Sequence, residues 1–463
     1  MKAQWQNPRG IQERIIVHGT LVLDTPTHLG NGDSEGPLDM PLILDPLENR
    51  ALLTGTSIAG ALRNYIKKYS EDISEDQIKM LFGDVYEDES VQSLIIVDDA
   101  LGAKPEVELR DGVAIDPKTR TAEAEKKFDI ELLTVGTEFD ISFELQVLKG
   151  KREKLLKAFT IALNGLEKGE IYLGKRKHRG FGKCHVSKWS VCRYDVTAPN
   201  GLIAWLDNDN SGQHEIKKDI ASLIGIEIPP KRDSIDDTCV LEGTFIVDGS
   251  ILIRSDYGNV NAPDFVHLTS KYGKNKPILS GTSLAGALRA RALRISNTIG
   301  KDGIKIVDNM FGNRRYPDNK NKDLTASRLW VDEAQIKNPL DLVLTRVKID
   351  RFTGGSFPTA LFNEQPVFGK LNGKTTIKIK LRLEKASKSD VGLLLLLLKD
   401  LWTGDLPLGG ESSVGRGRLK GECATLTYNG GPWTLTQMGD GTLRVEGDRN
   451  WLEAFVKAFV SGD

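Results

Sequence analysis

Cysteine is scarce in this chain. Only four occur in 463 residues (Cys184, Cys192, Cys239 and Cys423). None forms a CxxC pair or stands near paired histidines, so neither a zinc site nor a disulfide framework is expected, and a reducing cytoplasm fits. Long apolar runs are absent too. Leu393–Leu398 is the nearest approach and falls far short of the roughly 18 residues that suggest a membrane span. The start, Met1-Lys2-Ala3-Gln4-Trp5, lacks the apolar core of a signal peptide. Charge of one sign is missing as well: 63 Lys and Arg stand against 64 Asp and Glu, a net charge of −1. A free-standing nucleic-acid binder usually carries a basic excess, so only a locally basic face remains open.

What is present is an ordinary globular composition, 39% hydrophobic and 27% charged, and a text that repeats. Leu53-Thr54-Gly55-Thr56-Ser57-Ile58-Ala59-Gly60-Ala61-Leu62-Arg63 returns as Leu279-Ser280-Gly281-Thr282-Ser283-Leu284-Ala285-Gly286-Ala287-Leu288-Arg289, an offset of 281 − 55 = 226 residues. Leu81-Phe82-Gly83-Asp84 answers Met310-Phe311-Gly312-Asn313, Val97-Asp98-Asp99-Ala100 answers Val331-Asp332-Glu333-Ala334, and Ile115-Asp116 answers Ile349-Asp350. Glycine-rich loops at Gly174–Lys183 and Gly409–Lys420 complete the order. The period is too long for a solenoid and predicts two tandem domains, 1–232 and 233–463, joined by the Pro/charge-rich stretch 228–237.

Within each half the pattern reads β-α-β-β-α-β. In the first, a strand over Arg14–Leu23 and a Gly/Asp-rich loop over Thr27–Leu38 precede a helix for which Ser57 is a plausible N-cap, with Ile58, Leu62, Tyr65 and Ile66 at helical spacing. A helix near Glu75–Leu81, a strand near Leu94–Val97, strands around Gly136 and a helix over Lys151–Gly165 follow. The second half repeats this from Val240, with helices at Ser283–Ile295 and Ser389–Thr403. Each half is expected to end in a helix, at Glu215–Leu223 and Asn450–Val460. The fold class is α+β: two tandem ferredoxin-like, RRM-like domains, each with a glycine-rich basic loop and a charged insertion without a clear period (Val113–Phe128 and Val347–Phe368).

Two constellations suit anion binding. Gly55-Thr56-Ser57 and Gly281-Thr282-Ser283 place free N–H groups and hydroxyls at a helix start, with Arg63 and Arg289 one or two turns on, and Lys67, Lys68, Arg291 and Arg294 beyond. An ordinary cap on a solvated basic helix is the plainer reading. The late loops are stronger. One carries Lys175, Arg176, Lys177, Arg179 and Lys183 with no acid, and the other carries Arg416 and Arg418. Glycine lets the backbone approach a phosphate, and the cations supply charge. Neither loop is a Walker motif.

This order of motifs, a Gly-[Thr/Ser]-Ser-[Ile/Leu]-x-Gly-x-Leu-Arg helix after a Gly/Asp loop and then a glycine-rich loop, resembles the RAMP superfamily of CRISPR-associated proteins. Each half looks like the backbone subunit of type III effector complexes, and the fused double copy is similar to the III-D and III-E branch. The resemblance implies a chain that grips guide RNA and cuts complementary target RNA beside other CRISPR-associated backbone and cap subunits, with no membrane. It implies catalysis by a loop aspartate with Mg²⁺ (or Mn²⁺), leaving 2′,3′-cyclic phosphate and 5′-OH ends. Asp39, in Leu38-Asp39-Met40-Pro41, matches that aspartate and would hold the metal; Asp264, in Pro263-Asp264-Phe265-Val266, stands at the equivalent place without the proline. Asp33, Asp45 and Asp256 are neighbouring alternatives. The insertions resemble the family's thumb hairpin, which implies that Ile115, Asp116, Ile349 and Phe352 belong to the thumb, with Phe352, Phe357 and Phe362 either wedging between bases or packing at its foot. Two other readings stay open: a scaffold that binds without cutting, and a metal-independent guide-processing ribonuclease using His28 or His178.

Overall fold

The computed structural model describes residues 10–32, 39–69, 73–86, 89–116, 119, 121–207, 216–217, 219–228, 237–255, 263–271, 275–313, 324–370 and 373–462. Asp33, Asp256 and most of the 228–237 linker lie outside them. Contacts divide the chain into two compact units. One comprises Met1–Glu108, Glu131–Lys177 and Phe181–Arg232; the other comprises Leu109–Ile130, His178–Gly180 and Asp233–Asp463.

In the first unit, alternation along Ile11–Leu23 turns Ile15, Val17 and Leu21 inward. This strand is the centre of an antiparallel sheet, with Cys184–Asp195 on one side and Glu138–Leu148 on the other, and Ile95–Val97 beyond the latter. Numbered in chain order, the four strands lie 4-1-3-2. The helices Gly55–Tyr69 and Arg152–Glu167 complete the β-α-β-β-α-β set. They bury Ile58, Leu62 and Ile66 from one, and Leu155, Leu156, Phe159 and Leu163 from the other, in the same core as the sheet's inner face. Gly19 is required within the central strand, because a Cβ there would stand 2.6 Å from the buried Trp189 ring.

The second unit repeats the plan. Arg418–Thr427, Cys239–Asp248, Thr376–Leu383 and Leu329–Val331 again lie 4-1-3-2, with helices Gly281–Thr298 and Lys388–Trp402. The tandem ferredoxin-like expectation therefore holds in both order and pairing. The charged insertions, which show no sequence period, are two-stranded hairpins between the second and third strands of each set. One pairs Val107–Ile115 with Ala122–Leu133; the other pairs Leu344–Ile349 with Ser356–Gln365.

Two local expectations are corrected. Helix Gly55–Tyr69 begins before Ser57, because the Thr54 carbonyl accepts the Ser57 and Ile58 N–H groups at 3.0 and 3.2 Å; Ser57 lies in the first turn and is not the cap. The terminal helix of the first half is only Ile220–Ile224, preceded by the two-residue strand Ile216–Lys217. The Asp219 carboxylate captures the Ala221 and Ser222 N–H groups and starts the helix there, and Gly225, at φ 73°, ends it. The second half ends as expected, in Arg449–Ser461.

Candidate nucleic-acid interface

In the first unit the glycine loop is zipped to the loop that follows the central strand. Lys175 N–H donates to the His28 carbonyl at 3.0 Å, Gly182 N–H to Pro26 O at 3.3 Å, and Leu173 N–H to Gly182 O at 2.8 Å. Gly182 has φ 82°, and a Cβ on it would sit 1.9 Å from Leu173 O, so only glycine closes this loop. The same loops hold the candidate aspartate. Asp39 is exposed. Its neighbour Met40 accepts Glu131 N–H at 3.1 Å, while the Glu131 carboxylate accepts Leu42 N–H at 2.9 Å. Arg176 Nη2 lies 4.0 Å from Met40 Sδ. The fold thus brings Asp39, Arg176 and the foot of the hairpin together. Lys175 is exposed, whereas burial lowers the pKa of the half-buried Arg176 and Lys177. Asp45 caps its own turn, accepting Leu47 and Glu48 N–H at 3.1 and 2.7 Å.

The helix starts are partly occupied from within. Gly55 N–H donates to Asp99 Oδ1 at 2.7 Å. The exposed Thr56 and Ser57 hydroxyls both reach Thr54 Oγ1, at 3.2 and 2.8 Å. In the second copy Ser280 caps the helix, accepting Ser283 N–H at 3.3 Å, with Thr282 and Ser283 hydroxyls 3.2 and 2.8 Å from its oxygen; Gly281 has no room for a Cβ, which would stand 2.6 Å from Val331 O. Arg63 faces Asp84 at 3.4 Å, and Lys79 and then Arg63 hold that carboxyl below its usual range. Arg289 is engaged more firmly, donating to Asp308 and to Gly312 O, each at 2.6 Å. Arg179 belongs to the second unit, where it donates to Phe311 O at 3.3 Å.

The second unit copies the zip. Gly410 N–H donates to Leu252 O at 2.8 Å, Gly417 N–H to Ser250 O at 2.7 Å, and Leu408 N–H to Gly417 O at 2.9 Å. Its charges are arranged differently. Arg416, expected to supply charge to a phosphate, is only 3% exposed. It pairs with Glu364 at 2.6 Å and Glu411 at 3.3 Å, while Arg346 and Arg254 close on the same two carboxylates at 2.9 and 2.7 Å. Arg418 remains exposed. Asp264 is exposed, and its Oδ2 accepts Asn363 N–H at 2.8 Å. Sequence reasoning missed the acids at the hairpin feet, Glu131 and Glu364. Their spacing, 364 − 131 = 233 residues, nearly equals that of the paired aspartates, 350 − 116 = 234, and was the available signal.

At the hairpin tips, Asp116 accepts Thr119 N–H at 2.8 Å and Asp350 accepts Phe352 N–H at 3.1 Å, each tying a turn. Ile115 and Ile349 are about half exposed, and Phe352 is 99% exposed. Phe362, by contrast, packs edge-on against Phe265 with ring centroids 5.9 Å apart. The alternative left open by the sequence divides: Phe362 packs at the foot and Phe352 stands clear at the tip.

His28 is fully buried. Its Nδ1 lies 2.9 Å from Glu131 O, and burial holds its pKa below the ordinary histidine value. Leu252 takes its place in the second copy. His178 packs on Trp330 with ring centroids 4.0 Å apart. Neither arrangement favours an accessible acid–base histidine. Among the described residues no group of three or more His, Cys, Asp or Glu side chains could hold a metal ion. A lone loop carboxylate suits Mg²⁺, which commonly takes one or two carboxylates and completes its shell with phosphate and water. No helix among the described residues is long and apolar enough to cross a membrane.

Comparison with known proteins agrees with the duplication. The model of one family, the RAMP superfamily, matches residues 20–185 and again 244–420. The chain is similar to the CRISPR system Cms endoribonuclease Csm3 of Streptococcus thermophilus, 28% identical over 215 residues that cover 41% of this chain and 96% of that protein. It is likewise similar to the protein of the same name from Mycobacterium tuberculosis, 28% identical over 208 residues, 38% of this chain and 86% of that protein. Each relative therefore corresponds in extent to about one of the two copies.

Proposed function

The chain belongs to the RAMP superfamily, in two tandem copies, and on that premise we propose that it is a backbone subunit of a type III CRISPR effector that holds guide RNA along two consecutive footprints and cuts the complementary target RNA. The observation that carries this is the juxtaposition of Asp39, Arg176 and the hairpin foot around one glycine-closed loop. The relatives named endoribonuclease support the cutting activity.

RNA carries its own nucleophile, the 2′-OH. Cleavage needs that oxygen in line with the adjacent phosphorus and the departing 5′-oxygen, and a regular duplex forbids the alignment. A hairpin tip that displaces one nucleotide permits it, so orientation supplies much of the rate. Ile115, Ile349 and Phe352 are exposed, as residues of such a wedge must be. Lys175 and Arg176 would hold the phosphate in register beside Asp39. Asp39 is assigned to hold Mg²⁺ or Mn²⁺, an ion that is commonly bound by one or two carboxylates together with phosphate oxygens and water. That ion, when bound, neutralises developing charge on the phosphate.

The second copy supports a narrower role. Asp264 serves the hairpin through Asn363, and Val266 stands in place of the proline, so this half is assigned to binding. The test is a map of target-RNA cut positions for the assembled complex carrying wild type or Asp39→Ala. Loss of the cuts under the first copy is expected. Retention of every cut would overturn Asp39 as catalytic.

A further inference from the structure

A polar cavity of about 620 Å³ opens in the second unit, lined by Arg294, Thr403, Gly404, Asp405, Pro407, Ser412, Ser413 and Arg418. Three separate parts of the chain build it. Arg294 comes from the fourth turn of the Gly281–Thr298 helix. Thr403 to Asp405 follow the Lys388–Trp402 helix. Ser412, Ser413 and Arg418 come from the glycine loop and the strand it enters.

The cations here differ from their neighbours. On the same helix Arg289 is paired with Asp308 and Arg291 with Asp400, and in the same loop Arg416 is buried against Glu364. Arg294 and Arg418 are exposed, and neither guanidinium has an ion-pair partner among the described residues. Two unneutralised guanidiniums facing one cavity repel each other unless an anion lies between them. The Ser412 and Ser413 side chains, on an exposed turn, add hydroxyl donors. Asp405 is the one acid in the lining. Its Oδ2 accepts the Thr403 hydroxyl at 2.7 Å, and Lys399 lies 3.9 Å away. The lining holds no aromatic side chain to serve as a stacking platform for a base.

We propose that this cavity is a sequence-independent phosphate–ribose subsite for single-stranded RNA. Arg294 and Arg418 hold the phosphate, the two serines donate to its free oxygens, and Asp405 accepts the ribose 2′-OH. The inference rests on the RNA-binding reading above and adds to it a means of telling RNA from DNA, since a carboxylate beside a phosphate repels the strand unless a hydroxyl donor lies between. The first unit keeps cations at the matching places. Lys68 corresponds to Arg294 (294 − 226 = 68), and Lys183, which follows Gly182, corresponds to Arg418, which follows Gly417. Lys177 adds a third, held below the ordinary lysine range by burial with the Lys68 charge contributing.

The experiment titrates the full-length chain into fluorescent oligouridine RNA and oligothymidine DNA of equal length over a series of salt concentrations. Arg294→Ala/Arg418→Ala is expected to make the dependence of log K on log salt shallower by about 0.7, because the one phosphate the pair holds contributes about 0.7 on a single strand. Arg444→Ala/Arg449→Ala, which removes equal charge from exposed residues outside the cavity, is the control. Equal slopes for the two double variants would overturn the subsite. Asp405→Asn is expected to reduce the preference for RNA over DNA; an unchanged preference would overturn its role toward the ribose. Wild type binding neither strand would sink the RNA-binding reading itself and this proposal with it, whereas wild-type binding with equal slopes sinks the subsite alone.

Discussion

The Asp264 carboxylate accepts the backbone N–H of Asn363 at 2.8 Å. One candidate catalytic group of the second copy is therefore a strut between the loop before Phe265–His267 and the return strand of the second hairpin, Ser356–Gln365. The two strands run parallel there, Phe265 facing Glu364. The first copy makes the corresponding join by backbone, with Glu131 N–H on Met40 O at 3.1 Å, which leaves Asp39 in a different setting from Asp264.

Asp264→Asn keeps an amide oxygen that can accept Asn363 N–H, and Asp264→Ala does not. Hydrogen exchange at Asn363 should accelerate on the order of tenfold in the alanine variant, the loss of about one hydrogen bond, and stay near wild type in the asparagine variant. Target cleavage should be intact with asparagine. Cleavage lost equally in both would make Asp264 chemical and not structural.

The two hairpin phenylalanines should separate stability from activity. Phe352 is 99% exposed, so Phe352→Ala should leave stability within about 0.5 kcal/mol of wild type while weakening target-RNA cleavage. Phe362 packs against Phe265, so Phe362→Ala should lower the denaturation midpoint by the equivalent of about 1 kcal/mol, the worth of an aromatic pair. A Phe352→Ala complex that cuts at the wild-type rate would remove the wedge from the mechanism.

The duplication, the β-α-β-β-α-β order and both zipped loops were legible because identical glycines recur where only glycine fits: Gly182 and Gly417 each point a would-be Cβ at a leucine carbonyl 1.9 or 2.1 Å away. The hairpins were not legible as strands. Nearly every side chain from Glu125 to Phe128 is exposed or half exposed, so no face is buried and no alternation is written. Arg416 was misread because basic residues in a glycine loop look alike in sequence; the acids that draw it inward, Glu364 and Glu411, come from a distant strand and from its own loop. The terminal helix of the first half was expected from Glu215 and starts instead at Ile220, because its start depends on one Asp219 side chain.

Arg416 and Glu364, 3% and 1% exposed, should be mutually dependent. Arg416→Ala leaves a buried carboxylate with reduced compensation and should destabilise the second unit by about 3–5 kcal/mol, read as a fall in the urea midpoint. Arg346 also reaches Glu364, at 2.9 Å, which places the effect toward the lower end of that range. Glu364→Gln, which keeps the shape and one acceptor, should cost less than Arg416→Ala. The reverse order would show that packing, not charge, dominates the cluster.

His267 should give the second unit an acid limb. It is 4% exposed, and burial drives its pKa down to about 4, only partly opposed by the Ile278 and Ile251 carbonyls 2.9 and 3.1 Å from its ring nitrogens. An unfolded histidine titrates near 6.5. Between those values the unfolded chain takes a proton that the folded chain refuses. Unfolding is therefore favoured as pH falls from about 6.5 toward 4, and the contribution is flat above and below that window. At pH 5 the loss is about 2 kcal/mol relative to pH 7. His267→Gln offers an amide to the same carbonyls without titrating. It should be less stable than wild type at pH 7, and that gap should narrow by about 2 kcal/mol at pH 5. Urea denaturation of both proteins at the two pH values measures the gap. A gap that stays constant would mean that His267 titrates normally and that the second unit opens enough to hydrate it.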